Sequence, residues 1–482
     1  MKSRSELLHQ AADLAAAFLD TLPDRDVRSA ATRADLMASM GGPLPERGAL
    51  AEDVVADLAR SADPGIVASA GPRYFGFVIG GGLPSALAAD WLTSTWDQNG
   101  LSFVMSPAAS VAEEIAADWI LELLGLPSDA SVGFTTGVTM ASFTGLAAGR
   151  HRLLQRLGWD VEDDGLAGAP EIAVVIGAEA HASVFASLQM LGLGRKRVVK
   201  VEADGQGRMR ADALREALIG LRDRPVLVAA QAGNVNTGSF DTLAEIAAAV
   251  HELPNAWLHV DGAFGIWAAV ATARRHLVDG LADADSWSTD GHKWLNVPYD
   301  SGIVVVRDQD AHRSAMLYGA AYYVPGVSGE RDGGNWVGES SRRARGIPIY
   351  AAIRELGREG LADLVERCCA LAGRMADRLR GVEGVAILND VVLNQVLVRF
   401  APLGHTGGLM APDAEVDTFT RAVIGAVQAD GTCWLGGTTW HGMAAMRISV
   451  SNWMTTEADI DVSAEAILRC AASVAEAAES AR

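Results

Sequence analysis

The chain has 482 residues, 49% of them hydrophobic and 21% charged, enough to bury a large core and to divide into two or more domains, as a globular enzyme-sized protein does. Its 60 acidic and 40 basic residues leave a formal charge of −20 at pH 7, a field that repels phosphate backbones and anionic lipid and so argues against nucleic acid and membrane as partners. No run approaches ~18 clean apolar residues, so no membrane span is expected. The four cysteines, Cys368, Cys369, Cys433 and Cys470, lack CxxC spacing and a histidine cluster; they suit core packing in a reducing cytoplasm, and no metal site is expected.

In chain order, residues 5–60 read as helical, with Leu7, Leu8, Ala11, Leu14 and Phe18 on one face and a Pro/Gly break at 41–48. The N-terminal stretch carries charges at both ends and lacks the uninterrupted apolar run of a signal peptide. Such an arm, 1–70, needs another surface to cover it. From 71 to 345, short β-branched runs at 172–176, 198–201, 226–230, 257–260 and 303–306 alternate with helical patterns, which predicts an α/β domain with a largely parallel sheet. Glycine-rich polar segments at 158–170 and 325–335 read as surface loops, the second placed to act as a lid. From 346 to 482, helices at 349–380, 413–429 and 456–480 with strand-like runs at 394–400 and 445–450 predict a smaller α+β domain.

The motif Ser288-Thr289-Asp290-Gly291-His292-Lys293-Trp294 puts a lysine beside a histidine in a turn after a strand. A lysine is a nucleophile only as the free amine, which neighbouring charge or desolvation must favour; it can then capture the aldehyde of pyridoxal phosphate. Asp261 ends the run Trp257–Val260, and one helix and one strand fit between it and Lys293, so a parallel sheet carries both to one edge. A carboxylate there would keep a pyridine nitrogen protonated, although an aspartate after a strand is also an ordinary helix cap. Thr136, Gly137, Val138 and Thr139 open a helix running to about Gln155, a start whose N–H groups and dipole suit a phosphate. His181, after the 172–176 run, could stack on the cofactor ring or be a satisfied core histidine. Asn234, in Gly233-Asn234-Val235-Asn236-Thr237-Gly238, offers an amide at the same edge or simply makes the turn.

The series TTGVTMAS, AHAS, NTGSFD, WLHVDGAFG, DGHKWLNVPYDSG and SRRARG resembles the group II pyridoxal-phosphate-dependent amino-acid decarboxylases, the aromatic-amino-acid, histidine and glutamate decarboxylase family, from about Gly71 to Asn452. The resemblance implies a type I fold of the aspartate aminotransferase class and a homodimer with a shared active site and a swapped N-terminal arm. It implies Lys293 as the Schiff-base lysine, Asp261 as partner of the pyridine nitrogen, His181 as the ring-stacking histidine and Ala263 against the ring. Val138, Thr139 and His292 match phosphate-binding segments; Asp290 falls where these enzymes often have asparagine, and Asn234 where threonine is common. Tyr322, with Tyr323 as the fallback, matches the loop tyrosine that protonates the substrate carbon, and Arg342 matches a structural arginine. Asn99, Leu101 and Phe103 resemble the substrate-pocket wall given by the partner subunit. The implied reaction is decarboxylation of an L-amino acid to the amine and CO2, with an aromatic substrate slightly favoured. Acidic or other polar substrates, an aldehyde synthase and an aminotransferase are the alternatives.

Overall fold

The computed structural model describes residues 2–317, 329–402, 404–405 and 408–480. It divides into two compact units, residues 80–373 with 389–396, and residues 1–79 with 374–388 and 397–482.

The first unit is built on a seven-stranded sheet: β1 (Ser131–Thr135), β2 (Ala173–Gly177), β3 (Val199–Val201), β4 (Val226–Gln231), β5 (Ala256–Asp261), β6 (Ser286–Asp290) and β7 (Gly302–Val306) in the order β1-β7-β6-β5-β4-β2-β3. The pairs from β6 through β3 are parallel, and β7 is antiparallel to both neighbours. This is the type I fold, a mostly parallel sheet flanked by helices. Because β7 alone runs backwards, β1, β2, β4, β5 and β6 deliver their C-terminal ends to one edge. The helix Val138–Gln155 and Val174, Ile176, Leu227, Ala229, Trp257 and Val304 share one apolar core.

Side chains alternate along a strand, so Trp257, His259 and Asp261 of β5 face the same side as Ser286, Ser288 and Asp290 of β6. The Val138–Gln155 helix lies across both files. A Cβ on Gly149 would come 2.7 Å from Trp257, and one on Gly145 3.1 Å from His259; glycine is what lets the helix approach. Further along, Ser142 Oγ meets Ser288 Oγ at 2.9 Å, and Val138 N–H donates to Asp290 Oδ1 at 2.6 Å. Four helix residues advance ~6.0 Å and two strand residues ~6.6 Å, so each helical turn meets the next pair of inward side chains.

A buried hydrogen-bond chain runs through this seam. Trp257 Nε1–H donates to Ser286 Oγ at 2.9 Å, Ser286 Oγ lies 2.9 Å from His259 Nδ1, and His259 Nε2 lies 3.3 Å from Ser288 Oγ. An indole N–H only donates, so Ser286 Oγ accepts from Trp257, and each ring nitrogen of His259 has a serine hydroxyl as its partner.

Burial pushes His259 down to about 3 from an ordinary value of 6.5. His312, bonded to Ser131 Oγ at 2.8 Å and to the Trp336 carbonyl at 3.0 Å, is pushed equally low by burial. Asp241 moves oppositely: burial raises it to about 6 from 3.8 although it accepts two backbone N–H bonds at 2.7 Å. Between about pH 4 and 6 the unfolded chain therefore carries two histidine protons that the folded chain lacks, while the folded chain keeps one on Asp241. The histidine contribution is present above pH 6.5 and is lost on acidification. Net, stability falls by about 1.4 kcal/mol per pH unit from these groups. In thermal melts from pH 7 to 4.5, His259→Gln, which does not titrate, should lose less stability on acidification than wild type; an equal loss in both would refute the assignment.

Three expectations differ from the structure. The interval between Asp261 and β6 holds short 3-10 turns, Gly265–Val270, Arg275–Val278 and Leu281–Asp283, in place of one helix. Gly265 sits where a Cβ would come 2.3 Å from the Ala232 carbonyl, an approach a regular helix of larger residues cannot make. The long helix Gly346–Leu379 is broken at Gly357 (φ 61°). Of the 325–335 loop, Asp332, Gly333 and Gly334 are buried, pinned by Phe103 N–H to Asp332 Oδ1 (2.9 Å) and Gly334 N–H to the Leu101 carbonyl (2.8 Å).

The second unit contains the N-terminal helices Arg4–Thr21, Arg33–Met40 and Ala51–Ala62, none with a fully buried residue. Leu8, Met37, Met40, Val54 and Leu58 are exposed. It also holds β8 (Val385–Ile387), β9 (Gln395–Phe400, from Leu397 on), β10 (Gly436–Trp440) and β11 (Met443–Ser449), in the order β10-β11-β9-β8, with the helices Ala414–Asp430 and Glu457–Ser480. All four cysteines are buried free thiols. Among the described residues no helix is long and apolar enough to cross a membrane.

Candidate active site

Lys293, Asp290, Asp261 and His181 converge at the C-terminal edge of the large sheet. The turn after β6 is held by Gly291 N–H to the Ser301 carbonyl and Asn296 N–H to the Lys293 carbonyl, and Gly80 N–H donates to the His292 carbonyl. A Cβ on Gly80 would lie 2.1 Å from the Lys293 carbonyl, so the chain there wraps the turn without a side chain. Lys293 Nζ projects from it, 3.1 Å from Asp290 Oδ2 and 6.0 Å from the Phe264 ring centroid, with only 13% of its side chain exposed.

Asp261 is buried at the end of β5, and its Oδ1 accepts from Ala263 N–H at 3.1 Å. Burial raises its carboxyl above the ordinary range; the positive charges of His181 and then Lys293 oppose the rise, and Asp290 adds to it. Those interactions place one buried carboxylate within electrostatic reach of both a histidine and a lysine. Ala263 bridges the two strand ends, its carbonyl accepting from Asp290 N–H at 3.1 Å and from Thr289 Oγ1 at 3.3 Å.

His181 caps the helix Ala182–Met190 through its ring: Ser183 N–H donates to Nδ1 at 3.2 Å, and Ser183 Oγ lies 2.7 Å from the same atom. Both alternatives read for Asn234 are weighed by its contacts. Its Oδ1 accepts from Asn236 N–H and Thr237 N–H, and its Nδ2 donates to the Glu179 carbonyl, so its side chain builds the turn. At the start of the Val138–Gln155 helix, Thr135 Oγ1 donates to the Gly137 carbonyl at 3.1 Å, and a Cβ on Gly302 would meet Gly137 backbone at 2.5 Å. Thr136, Gly137, Val138 and Thr139 thus form a backbone-lined helix start beside Asp290.

His292 donates Nδ1–H to the Ser301 carbonyl at 3.1 Å, stacks on Tyr299 at 4.2 Å between centroids and holds Nε2 3.6 Å from Asp290 Oδ2. Burial pushes its imidazole down, Asp290 opposes the fall and Lys293 adds to it.

Asn99, Leu101 and Phe103 belong to a separate cluster. Asn99 Oδ1 accepts from Leu101 N–H at 3.1 Å and Arg342 N–H at 3.2 Å. Arg342, fully buried, pairs with Glu113 at 2.8 Å and donates to the Gly100 and Phe134 carbonyls. Glycines leave room for this pair: a Cβ on Gly333 would meet Arg342 at 2.3 Å and one on Gly346 would meet Glu113 at 2.4 Å. Tyr322 and Tyr323 lie outside the described residues. Sequence reasoning missed His259, the Ser142–Ser288 contact and Glu113; the only sequence signal for the first two is the Gly145/Gly149 spacing opposite a strand containing Trp257 and His259.

These groups fit pyridoxal phosphate: a lysine amine in reach of a buried carboxylate, a histidine at the same edge and a helix start for the phosphate. Asp290 is the one group whose charge opposes it. A pyridoxal-dependent decarboxylase conserved domain matches residues 35–401. The chain is 24% identical over 457 residues to an aromatic-L-amino-acid decarboxylase of Bacillus atrophaeus, covering 94% of this chain and 92% of that protein. It is 30% identical over 364 residues to an L-2,4-diaminobutyrate decarboxylase of Rhizobium meliloti (strain 1021), covering 74% and 71%. Its fold is similar to that of Oryza sativa TDC crystallised with PLP and tryptamine, with a TM-score of 0.89, 22% identity and 97% of each chain covered. The chain therefore belongs to the pyridoxal-dependent decarboxylase family and is a pyridoxal-phosphate-dependent amino-acid decarboxylase.

Proposed function

We propose that this chain decarboxylates an L-amino acid with an aromatic side chain, using Lys293, Asp261, His181 and Tyr322. The convergence of Lys293 and His181 on buried Asp261 is the observation that carries the reading. When bound, the cofactor supplies the electron sink into which the bond to the departing carboxylate breaks. Lys293 would provide the amine that holds the cofactor. Asp261 would keep a proton on the ring nitrogen, and Ala263 and His181 would help hold the ring. The helix start at 136–139, with His292 nearby, receives the phosphate. Tyr322 returns a proton to the substrate carbon, with Tyr323 the alternative donor. The side chain of Asn234 shapes its loop.

An aromatic substrate is favoured because Asn99, the polar member of the pocket-wall segment, turns its carbonyl oxygen onto the backbone N–H groups of Leu101 and Arg342. Leu101 and Phe103 supply the apolar side chains of that segment. That segment is flanked by exposed Trp91, Leu92, Trp96, Val104 and Met105, an apolar stretch of the kind a protein partner covers; together with the uncovered N-terminal helices it supports a homodimer in which each subunit walls the other's site.

The test is the purified chain with pyridoxal phosphate and a panel of aromatic, acidic and diamino L-amino acids, read by CO2 and amine release. CO2 with stoichiometric amine from aromatic substrates, from a preparation sedimenting as a dimer, is expected. CO2 from acidic or diamino substrates alone would overturn the aromatic assignment. Peroxide and ammonia in place of amine would mark an aldehyde synthase, α-keto-acid-dependent amino transfer an aminotransferase, and a monomer would refute the shared site.

A further inference from the structure

Asp290 holds an unusual position for a carboxylate. Its Oδ1 takes the Val138 N–H at 2.6 Å, at the first residue of the helix where the phosphate is to bind, and its Oδ2 pairs with Lys293 Nζ at 3.1 Å. The side chain is 2% exposed, so water screens it little. A helix start is attractive to an anion because its N–H groups are unpaired and its dipole end is positive. Here a side-chain anion already engages both the helix start and the lysine.

We propose that Asp290 is an affinity-setting residue: an internal anion that competes with the cofactor's phosphate for the Val138 helix start. This rests on the assignment of Lys293 and the 136–139 helix start to the cofactor. Lys293 offsets part of its charge. His292 donates Nδ1–H to Ser301, so in its neutral form Nε2 presents a lone pair toward Asp290. A phosphate bound at this helix start would share it with the Asp290 carboxylate. The phosphate and the carboxylate are then like charges at one helix end, and repulsion between them lowers affinity for the phosphorylated cofactor specifically. Asparagine would keep an oxygen for Val138 N–H and place an amide N–H toward His292 Nε2, with no charge. The chain is thereby built to release its cofactor and to let activity follow cofactor supply.

The experiment titrates cofactor-free wild type and Asp290→Asn with pyridoxal phosphate, and in parallel with pyridoxal, which lacks the phosphate. Binding is followed by the absorbance of lysine-bound cofactor and by tryptophan fluorescence. The variant is expected to bind pyridoxal phosphate at least ~10-fold more tightly, the effect of removing one like charge a few ångströms from the phosphate, with pyridoxal affinity changed much less. Asp290→Ala, equally neutral but without the cap oxygen, should raise the same preference for the phosphorylated form. Unchanged or weaker binding in both variants would overturn the proposal, as would an equal gain for both ligands, which would put the effect on Lys293 alone. If wild type gives no lysine-bound absorbance at any concentration, the site assignment itself fails, a result distinct from binding that ignores residue 290.

Discussion

Lys293→Ala should bind no cofactor covalently: the long-wavelength absorbance of lysine-bound pyridoxal phosphate disappears, and decarboxylation falls by ~10⁴-fold or more, the scale on which loss of a catalytic nucleophile is felt. Lys293 is the amine that reaches the strand-end carboxylates, from a turn whose backbone is tied by Gly80, Gly291 and Asn296. No other side chain on that turn can substitute, since His292 is bonded to Ser301 and Trp294 is buried. Alanine keeps the turn's backbone bonds, so the variant should fold with a normal melting curve. A retained absorbance band would refute the lysine assignment; a lost band with activity intact would refute the proposed chemistry.

Asp261→Asn should separate binding from catalysis. Cofactor should still attach, because Lys293 is untouched and the asparagine oxygen can accept Ala263 N–H as Asp261 Oδ1 does. kcat should fall by ~10²–10³-fold, the cost of removing one aimed charge from a buried site. Stability should move the other way. Burial raises the Asp261 carboxyl, so the cofactor-free fold has its full stability below the unfolded-state value and loses part of it as pH rises through the folded-state value. Asparagine escapes that loss, and cofactor-free Asp261→Asn should melt higher than wild type near neutral pH and no higher in strong acid. A kcat within a few fold of wild type would remove Asp261 from the mechanism, and a melting difference that persists unchanged in acid would remove burial of charge as its cause.

The parallel strands and the residues at their ends were legible in the sequence because apolar β-branched runs end abruptly on polar residues, as 226–230 and 257–260 do. Asp261 and His181 could be grouped for that reason, and Lys293 through its motif after them. β1 and β6 were harder to read. Ser131-Val132-Gly133-Phe134-Thr135 becomes a strand by pairing with antiparallel β7, a partner far along the chain. β6 turns two serines inward, which contradicts a hydrophobic pattern until His259 and Ser142 supply their bonds. The same limit hid Glu113, whose need for Arg342 exists only after folding. Asn234 illustrates the converse: its residue type suited both a ligand contact and a turn, and only its hydrogen bonds separate them.

The match between helical turns and strand pairs along the Val138–Gln155 helix fixes the number of residues as well as their identity. Deleting one residue between Val138 and Gly149 would rotate the remainder of the helix by about 100°, turning Gly145 and Gly149 away from His259 and Trp257 and setting side chains against them. Changes of length should therefore be rejected throughout this segment, including at positions far from Lys293, while substitutions on its solvent side pass. Along this seam, evolution of the site is confined to exchanging side chains within a constant count.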